Sequence, residues 1–376
     1  MSDARDQDVL DMLDDVARAF TQPDPNRVRQ LRDSSGATDR AMWTTMAKAG
    51  WLSIMVPNHL GGSGLGIEAV SIVARRLGYG AFPEPFVAAG VLTPLLLTAC
   101  DGARWHERLQ AIMAGDLLVA VTWQGDTGAL DPMDTGQVRA RRNEAQMLLN
   151  GTSRFSHVDD ADVYIIAPRL EDALAMYWVP KTAAGLNIEK EHRADGFASA
   201  VLSLVDVPVP AVDRLPLAPD RNAELLESVL ELARTASSAE LIGVMDRALE
   251  LTLDYLRIRK QFDRPIGSFQ ALQHRAVNMW MQRELSAAAL EAAVRVMEDA
   301  GSTTAQRAAA ASSVKARTAQ AARDVCSEAL QLHGAIGFTD EYELGIYFNR
   351  ALTLCPWLGG ASEHRRRYTQ LVKVKE

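Results

Sequence analysis

At 376 residues, 48% of them hydrophobic, the chain can bury a large core spread over two or three domains. A formal net charge of −8 offers a polyanion nothing to hold, which argues against nucleic acid as a partner. Polar residues interrupt every apolar stretch well short of a bilayer's width, and Met1 to Gln7 is acidic and polar, so neither a membrane span nor a secretory leader is expected.

Cys100, Cys326 and Cys355 are few, odd in number and far apart, which suits a reducing cytoplasm and predicts neither a disulfide framework nor a metal cluster. No H-E-x-x-H, C-x-x-C or G-x-x-x-x-G-K motif is present, and His59, His106, His192 and His364 are scattered, so no metal site is expected.

Residues 1–119 read as an N-terminal α-helical domain. Ala41 to Ala47 has helical apolar spacing and Gly50 stops it; Ile67 to Leu77 is periodic again. The glycine cluster between them, Gly61-Gly62-Ser63-Gly64-Leu65-Gly66, lacks dinucleotide-binding spacing and reads as a loop. Val87 to Cys100 is apolar and helical, with Pro94 expected to kink or restart it.

Residues 120–217 read as a middle β-domain. Short runs rich in β-branched and aromatic residues recur between Gly, Asp and Asn turns: Leu117–Trp123, Val138–Arg141, Gln146–Leu149, Val163–Ala167, Ala175–Val179 and Val201–Val207. Such spacing predicts a small antiparallel barrel or sandwich. Residues 218–376 read as a four- to five-helix bundle. Its helices are expected over Asn222 to about Gln261, from a Ser268 N-cap to Asp299, from Thr304 to His333 before Gly334, and over two shorter segments near 342–354 and 362–372. The fold class is therefore α+β, ordered helices, β-domain, bundle.

Two segments of the bundle resemble the acyl-CoA dehydrogenase superfamily. Arg259-Lys260-Gln261-Phe262-Asp263-Arg264-Pro265-Ile266-Gly267-Ser268-Phe269-Gln270-Ala271-Leu272-Gln273-His274 is similar to R-x-Q-F-G-x-P-I-x-x-F-Q-x-x-Q-H. Gln331-Leu332-His333-Gly334-Ala335-Ile336-Gly337-Phe338 is similar to Q-x-x-G-G-x-G-F/Y. Gly50-Trp51-Leu52 through Gly66 and Val205-Asp206-Val207-Pro208 add weaker likeness. The resemblance implies FAD, much of it a neighbouring subunit's, held by Arg259, Gln261, Phe262, Phe269, Gln270, Gln331, Gly334 and Ala335. Arg259 offers a fork suited to pyrophosphate, the two Phe rings flat apolar faces, and Gly334 close backbone approach. Taken one at a time, the same residues serve equally as an ion pair, core side chains and a helix cap.

The resemblance also shows what is missing. The family's base is a glutamate in a Y-E-G-T-like loop, and here that loop reads Trp357-Leu358-Gly359-Gly360, with Leu358 or Gly359 at the post. A minority of relatives place it on the long helix, 26 residues before the arginine, where this chain has Ala233. Among other carboxylates, Glu240 shares the face of Ala233 about 10 Å further along the helix and interrupts a small apolar stretch, which makes it the leading replacement. Glu231 is turned away and Glu363 lies near the altered loop; each of the three reads first as a solvated or ion-paired residue. In the middle domain Thr122-Trp123-Gln124-Gly125-Asp126-Thr127-Gly128 replaces the family's T-E-P-x-x-G-S-D loop. Phe155 is placed to supply an aromatic wall, and Ser156 or His157 a hydrogen bond, to a flavin; barrel surface is the alternative.

Three functions follow from the resemblance. One is FAD-dependent α,β-desaturation of an acyl-CoA, passing electrons to an electron-transfer flavoprotein, with this chain the base-lacking subunit beside a paralogue, as in heteromeric steroid side-chain enzymes. The second is a self-sufficient homo-oligomer with a relocated base. The third is a non-redox acyl-CoA or flavin binder, or a flavin-dependent oxygenase, on the same scaffold.

Overall fold

The computed structural model describes residues 2–34, 38–133, 138–143 and 146–373. Six helices come first: α1 (Ser2–Phe20), α2 (Pro25–Ser34), α3 (Arg40–Lys48), α4 (Ile67–Tyr79), α5 (Leu92–Leu97) and α6 (Ala103–Met113). Nine strands follow: β1 (Val119–Thr122), β2 (Arg139–Asn143), β3 (Gln146–Ser156), β4 (Val163–Ile166), β5 (Arg169–Leu170), β6 (Ala173–Leu174), β7 (Tyr177–Pro180), β8 (Leu186–His192) and β9 (Ala198–Pro210). After the long α7 (Pro219–Ile258) come the β10–β11 hairpin (Lys260–Gln261 and Arg264–Pro265), α8 (Gln270–Glu298), α9 (Thr304–His333), α10 (Leu344–Leu354) and α11 (Ala361–Lys373). This is the expected α+β order.

Contacts group the chain into two compact units, divided within α2 and α7. The first comprises Met1–Gln30, Ile67–Phe82 and Arg234–Glu376; the second comprises Leu31–Gly66 and Pro83–Ala233.

In the second unit, the Asp39 carboxylate caps α3 by accepting from the Ala41 and Met42 amides, and Gly50 ends that segment at φ +78°. The stretch read as one helix with a break at Pro94 divides earlier. A π-helical turn covers Phe86–Val91, and Pro94 sits in the first turn of α5, where its missing N–H is no loss. The strands form a three-stranded sheet, β1-β4-β7, and a six-stranded sheet, β6-β5-β2-β3-β9-β8. The purely antiparallel expectation needs correcting: β1 runs parallel to β4, and Arg139 of β2 pairs in parallel with Arg169 of β5. Burial explains the first pair, since β1 and β4 are buried at every position and suit a sheet covered on both faces. Register shifts interrupt the β3–β9 ladder between Leu149 and Gly151 and again between Ser153 and Ser156.

In the first unit, Ala-rich α9 is buried along much of its length and touches α8, α10 and α11. Its N-terminus carries a full capping box, Thr303 with Gln306, and Gly334 ends it at φ +64° as the spacing predicts. The Ser268 cap is not realised: Ser268 lies in a 3₁₀ turn and donates to the Pro265 carbonyl at 2.7 Å, while Phe269 takes the N-cap position. The tightest approach joins α4 to α7. A Cβ on Gly78 would collide with the Glu240 carbonyl oxygen, and one on Gly243 with the Arg75 carbonyl oxygen.

Neither helix can yield there without moving its backbone. Gly243→Ala should therefore lower stability by at least ~2 kcal/mol in urea unfolding. Gly345→Ala, in α10 with nothing within 4 Å of the added carbon, should leave stability unchanged or raise it by up to ~1 kcal/mol.

Candidate functional site

The motif between α7 and α8 is a hairpin at the surface of the first unit. Lys260 and Gln261 pair with Pro265 and Arg264 across a turn in which Phe262 (φ +52°) and Asp263 (φ +61°) are both left-handed. Asp263 stands where the family pattern has glycine, the residue such a turn favours. Phe262 is 86% exposed and meets Phe269 edge to face at 6.0 Å, while the Arg264 guanidinium lies 4.1 Å from the Phe269 ring centre. Arg259 is exposed, and among the described residues no carboxylate engages its guanidinium. Gln261 donates only to the neighbouring Lys260 carbonyl, and Gln270 opens α8, exposed. At the end of α9, Gln331, Gly334 and Ala335 are exposed as well, with open space where a Gly334 side chain would stand.

A fork of donors, two apolar rings and exposed amides left uncovered on one chain suit a flavin dinucleotide better than they suit solvent. Behind them His333 is buried between Tyr255, stacked at 4.5 Å, and Tyr342; its ring nitrogens meet the Ala329 carbonyl at 2.8 Å and the Tyr342 hydroxyl at 3.2 Å. Burial lowers its pKa, so the ring acts as a neutral spacer fixing the end of α9.

In the second unit the replaced loop and the candidate aromatic wall do come together. Phe155 lies within the second β3–β9 register shift at φ +64°, a bulge that re-aims its half-buried ring. The Gln124 carbonyl accepts from the Arg154 amide at 2.9 Å and from the Ser153 hydroxyl at 3.0 Å, and Thr122 bonds the same hydroxyl. The Gln124 side chain then ties the loop's far end through the Gly128 and Ala129 carbonyls. Ser156 is buried, and its hydroxyl lies 3.4 Å from the Val158 carbonyl. His157 is half-buried, its own carbonyl accepting from Arg193.

The posts expected for the base are apolar. Leu358 is 2% exposed with φ +58°, an uncommon backbone state for a branched side chain, and Gly359 follows at φ +105°. Ala233 is fully buried in α7. Glu363 is occupied as the clamp of α11, accepting from the Gly360 amide at 2.6 Å. Glu231 is buried at 3% exposure.

Glu240 is not a free carboxylate. Arg350 of α10 donates to its Oε1 through Nη2 at 2.6 Å and through Nε at 3.1 Å, with both residues below 10% exposure. Sequence reasoning missed the cations around it. Lys315, wholly buried in α9, donates to the Leu354 carbonyl at 2.8 Å and the Ser237 hydroxyl at 3.2 Å; desolvation pulls its pKa down to about 8. Arg234 is fully buried too. No local signal marks them, since Arg234 is followed by Thr235, Ser237 and Ser238, and Lys315 lies two residues from Arg317.

His364 completes this interior. Its Nε2 lies 2.9 Å from the Leu358 carbonyl, while Nδ1 is buried with no partner among the described residues. Burial, reinforced by Arg234, Lys315 and Arg367, pushes its pKa down to about 3.

The comparisons with known proteins agree with the motifs. The sequence profile of the acyl-CoA dehydrogenase N-terminal domain matches residues 7–116, and that of the C-terminal domain matches residues 223–370. This chain belongs to the acyl-CoA dehydrogenase family. It is 27% identical to the acyl-CoA dehydrogenase FadE27 of Mycobacterium tuberculosis, over 96% of this chain and 95% of that one. Among solved structures it resembles a variant of the Tcur3481–Tcur3483 steroid ACAD at 26% identity and TM-score 0.87, covering 98% of this chain and 99% of the other. It also resembles the ChsE4–ChsE5 complex of Mycobacterium tuberculosis at 25% identity and TM-score 0.84, covering 98% and 97%.

Two outcomes test the interior. Glu240→Gln should destabilise the protein by about 3–5 kcal/mol in urea unfolding, because the buried Arg350 loses the carboxylate that accepts from its Nη2 and Nε. A base without a structural role would leave stability near wild type. For His364 the folded pKa lies below the unfolded value of 6.5, so the unfolded chain binds more protons between pH 6.5 and about 3. The His364 contribution is complete above pH 6.5 and is lost as pH falls through that window. His364→Gln should flatten the fall in unfolding free energy between pH 7 and pH 4.

Proposed function

We propose that this chain is the base-lacking subunit of a heteromeric, FAD-dependent acyl-CoA dehydrogenase that desaturates an acyl-CoA thioester, of the steroid side-chain type, in the cytoplasm. The observation that carries this reading is the pair of apolar posts, Leu358 and Ala233, beside a Glu240 already committed to Arg350. Likeness to two heteromer-named structures, the ChsE4–ChsE5 complex and Tcur3481–Tcur3483, supports it.

The division of labour follows from the residues. Arg259 would hold a pyrophosphate through its fork, with Phe262 and Phe269 against the dinucleotide's apolar faces and Gln261, Gln270 and Gln331 as amide contacts. Gly334 and Ala335 would admit backbone close to it. In the β-domain, Phe155 would offer a flavin an aromatic wall and His157 a hydrogen bond. When bound, FAD supplies the acceptor for the hydride leaving the substrate β-carbon. Leu358 shields its loop from water but cannot take the α-proton, so a carboxylate of a paralogous partner must. An electron-transfer flavoprotein would be the partner that takes up the electrons.

The surface is consistent with a covering partner. Along α8, Val277, Trp280, Met281 and Leu285 are each 45–54% exposed at helical spacing, and Phe338 is 73% exposed.

The chain expressed alone should carry little FAD and reduce no dye with acyl-CoA, whereas co-purification with a paralogous subunit should restore both. In that complex Arg259→Ala should lower the FAD content per chain. Stoichiometric flavin and robust turnover from the lone chain would refute the proposal; activity in the lone chain abolished by Glu240→Ala, with flavin retained, would favour a relocated base instead.

A further inference from the structure

A cavity of about 370 Å³ opens on the six-stranded sheet of the second unit. Its lining includes Arg141 and Arg142 of β2, Glu171, Leu170 and Leu174 of the β5–β6 hairpin, and Arg214 beyond β9. Sheet order brings these together, because β2 lies beside β5 and β5 beside β6. Arg214 arrives through an isolated bridge to Tyr177 in β7.

Arg142 and Arg214 thus line one cavity with a carboxylate, Glu171, held on a tight turn at φ +54°. Arg141 is engaged by Asp206 at 2.9 Å, but both side chains are more than half exposed, a pairing of small worth. Among the described residues no carboxylate pairs with Arg142 or Arg214. Beside them the Tyr177 hydroxyl is buried and finds no hydrogen-bond partner among the described residues, although the charges of Arg142 and Arg214 reach it. A buried hydroxyl without a partner is costly, which makes the arrangement unusual unless something else supplies an acceptor.

We infer that this pocket binds the phosphate group of a small phosphate monoester, with Arg142 and Arg214 as its principal ligands. Forked donors on Arg142 and Arg214 suit a dianion with three acceptor oxygens. A carboxylate would satisfy fewer of these donors. The volume exceeds what a bare phosphate needs and lies at the small end of organic ligand sites, so Leu170 and Leu174 are placed to receive the carbon part. This inference is independent of the flavin and base assignments.

The test is calorimetric titration of the purified protein, with its partner subunit where that is needed for solubility, at constant ionic strength in chloride. The probes are inorganic phosphate, ribose 5-phosphate, adenosine 5′-monophosphate and phosphate-free adenosine. Saturable binding of a phosphate-bearing probe and none of adenosine is expected; tighter binding of either ester than of inorganic phosphate would identify its carbon part as recognised. Arg142→Gln and Arg214→Gln should each weaken binding about tenfold with circular dichroism unchanged. Glu171→Gln removes the competing charge and should tighten it, an outcome that loss of folding cannot imitate. Absence of saturable phosphate binding, equal binding of adenosine, or unchanged affinity in the Arg142/Arg214 double variant would overturn the inference.

Discussion

The helical unit depends on one constraint, the crossing of α4 and α7 at backbone distance. Gly78 and Gly243 leave no room for a Cβ on either side, so the register of α7 against α4 has a single solution. Ion pairs flank that crossing, with Asp246 bridging Arg75 and Arg283 and Glu250 accepting from the Tyr79 hydroxyl at 2.5 Å. With α7 pinned, the backbone of Glu240 faces Gly78 while its carboxylate reaches Arg350. The fate of the leading candidate base is therefore decided by helix packing rather than by local chemistry.

Buried charge fastens the loop that carries Leu358. Arg234, Lys315 and Arg350 lie in the same unit as Glu240, each 7% exposed or less, and Lys315 holds the C-terminal carbonyl of α10 just before that loop. His364 holds the Leu358 carbonyl from the other end. Between these two anchors the backbone at Leu358 and Gly359 is left-handed, a state that an apolar branched residue seldom adopts without such support.

The β-domain is fastened in a comparable way. Gln124 ties the loop after β1 to the bulge at Phe155 through backbone and side chain together. A bulge needs only an extra residue and a tolerated positive φ, and here it sets where the Phe155 ring points.

Periodicity and punctuation alone determined the order of elements, because a 3.6-residue apolar repeat and a stop at Gly334 are local properties. The exposed hairpin was not among them: the long helix was expected to reach about Gln261, but it ends at Ile258 and Lys260–Gln261 turns back as a strand. Strand β8 escaped notice because it alternates charged residues along a half-exposed edge, Glu189-Lys190-Glu191, with little apolar signal. The parallel pairing of β1 with β4 was invisible too, since partners 44 residues apart leave no local trace of direction. Only tertiary structure could decide that Glu240 belongs to Arg350, 110 residues away, that Lys315 is buried, and that three arginines share a cavity. Charge pairing and desolvation are set by distance in space, and a chain's own order does not encode that distance one residue at a time.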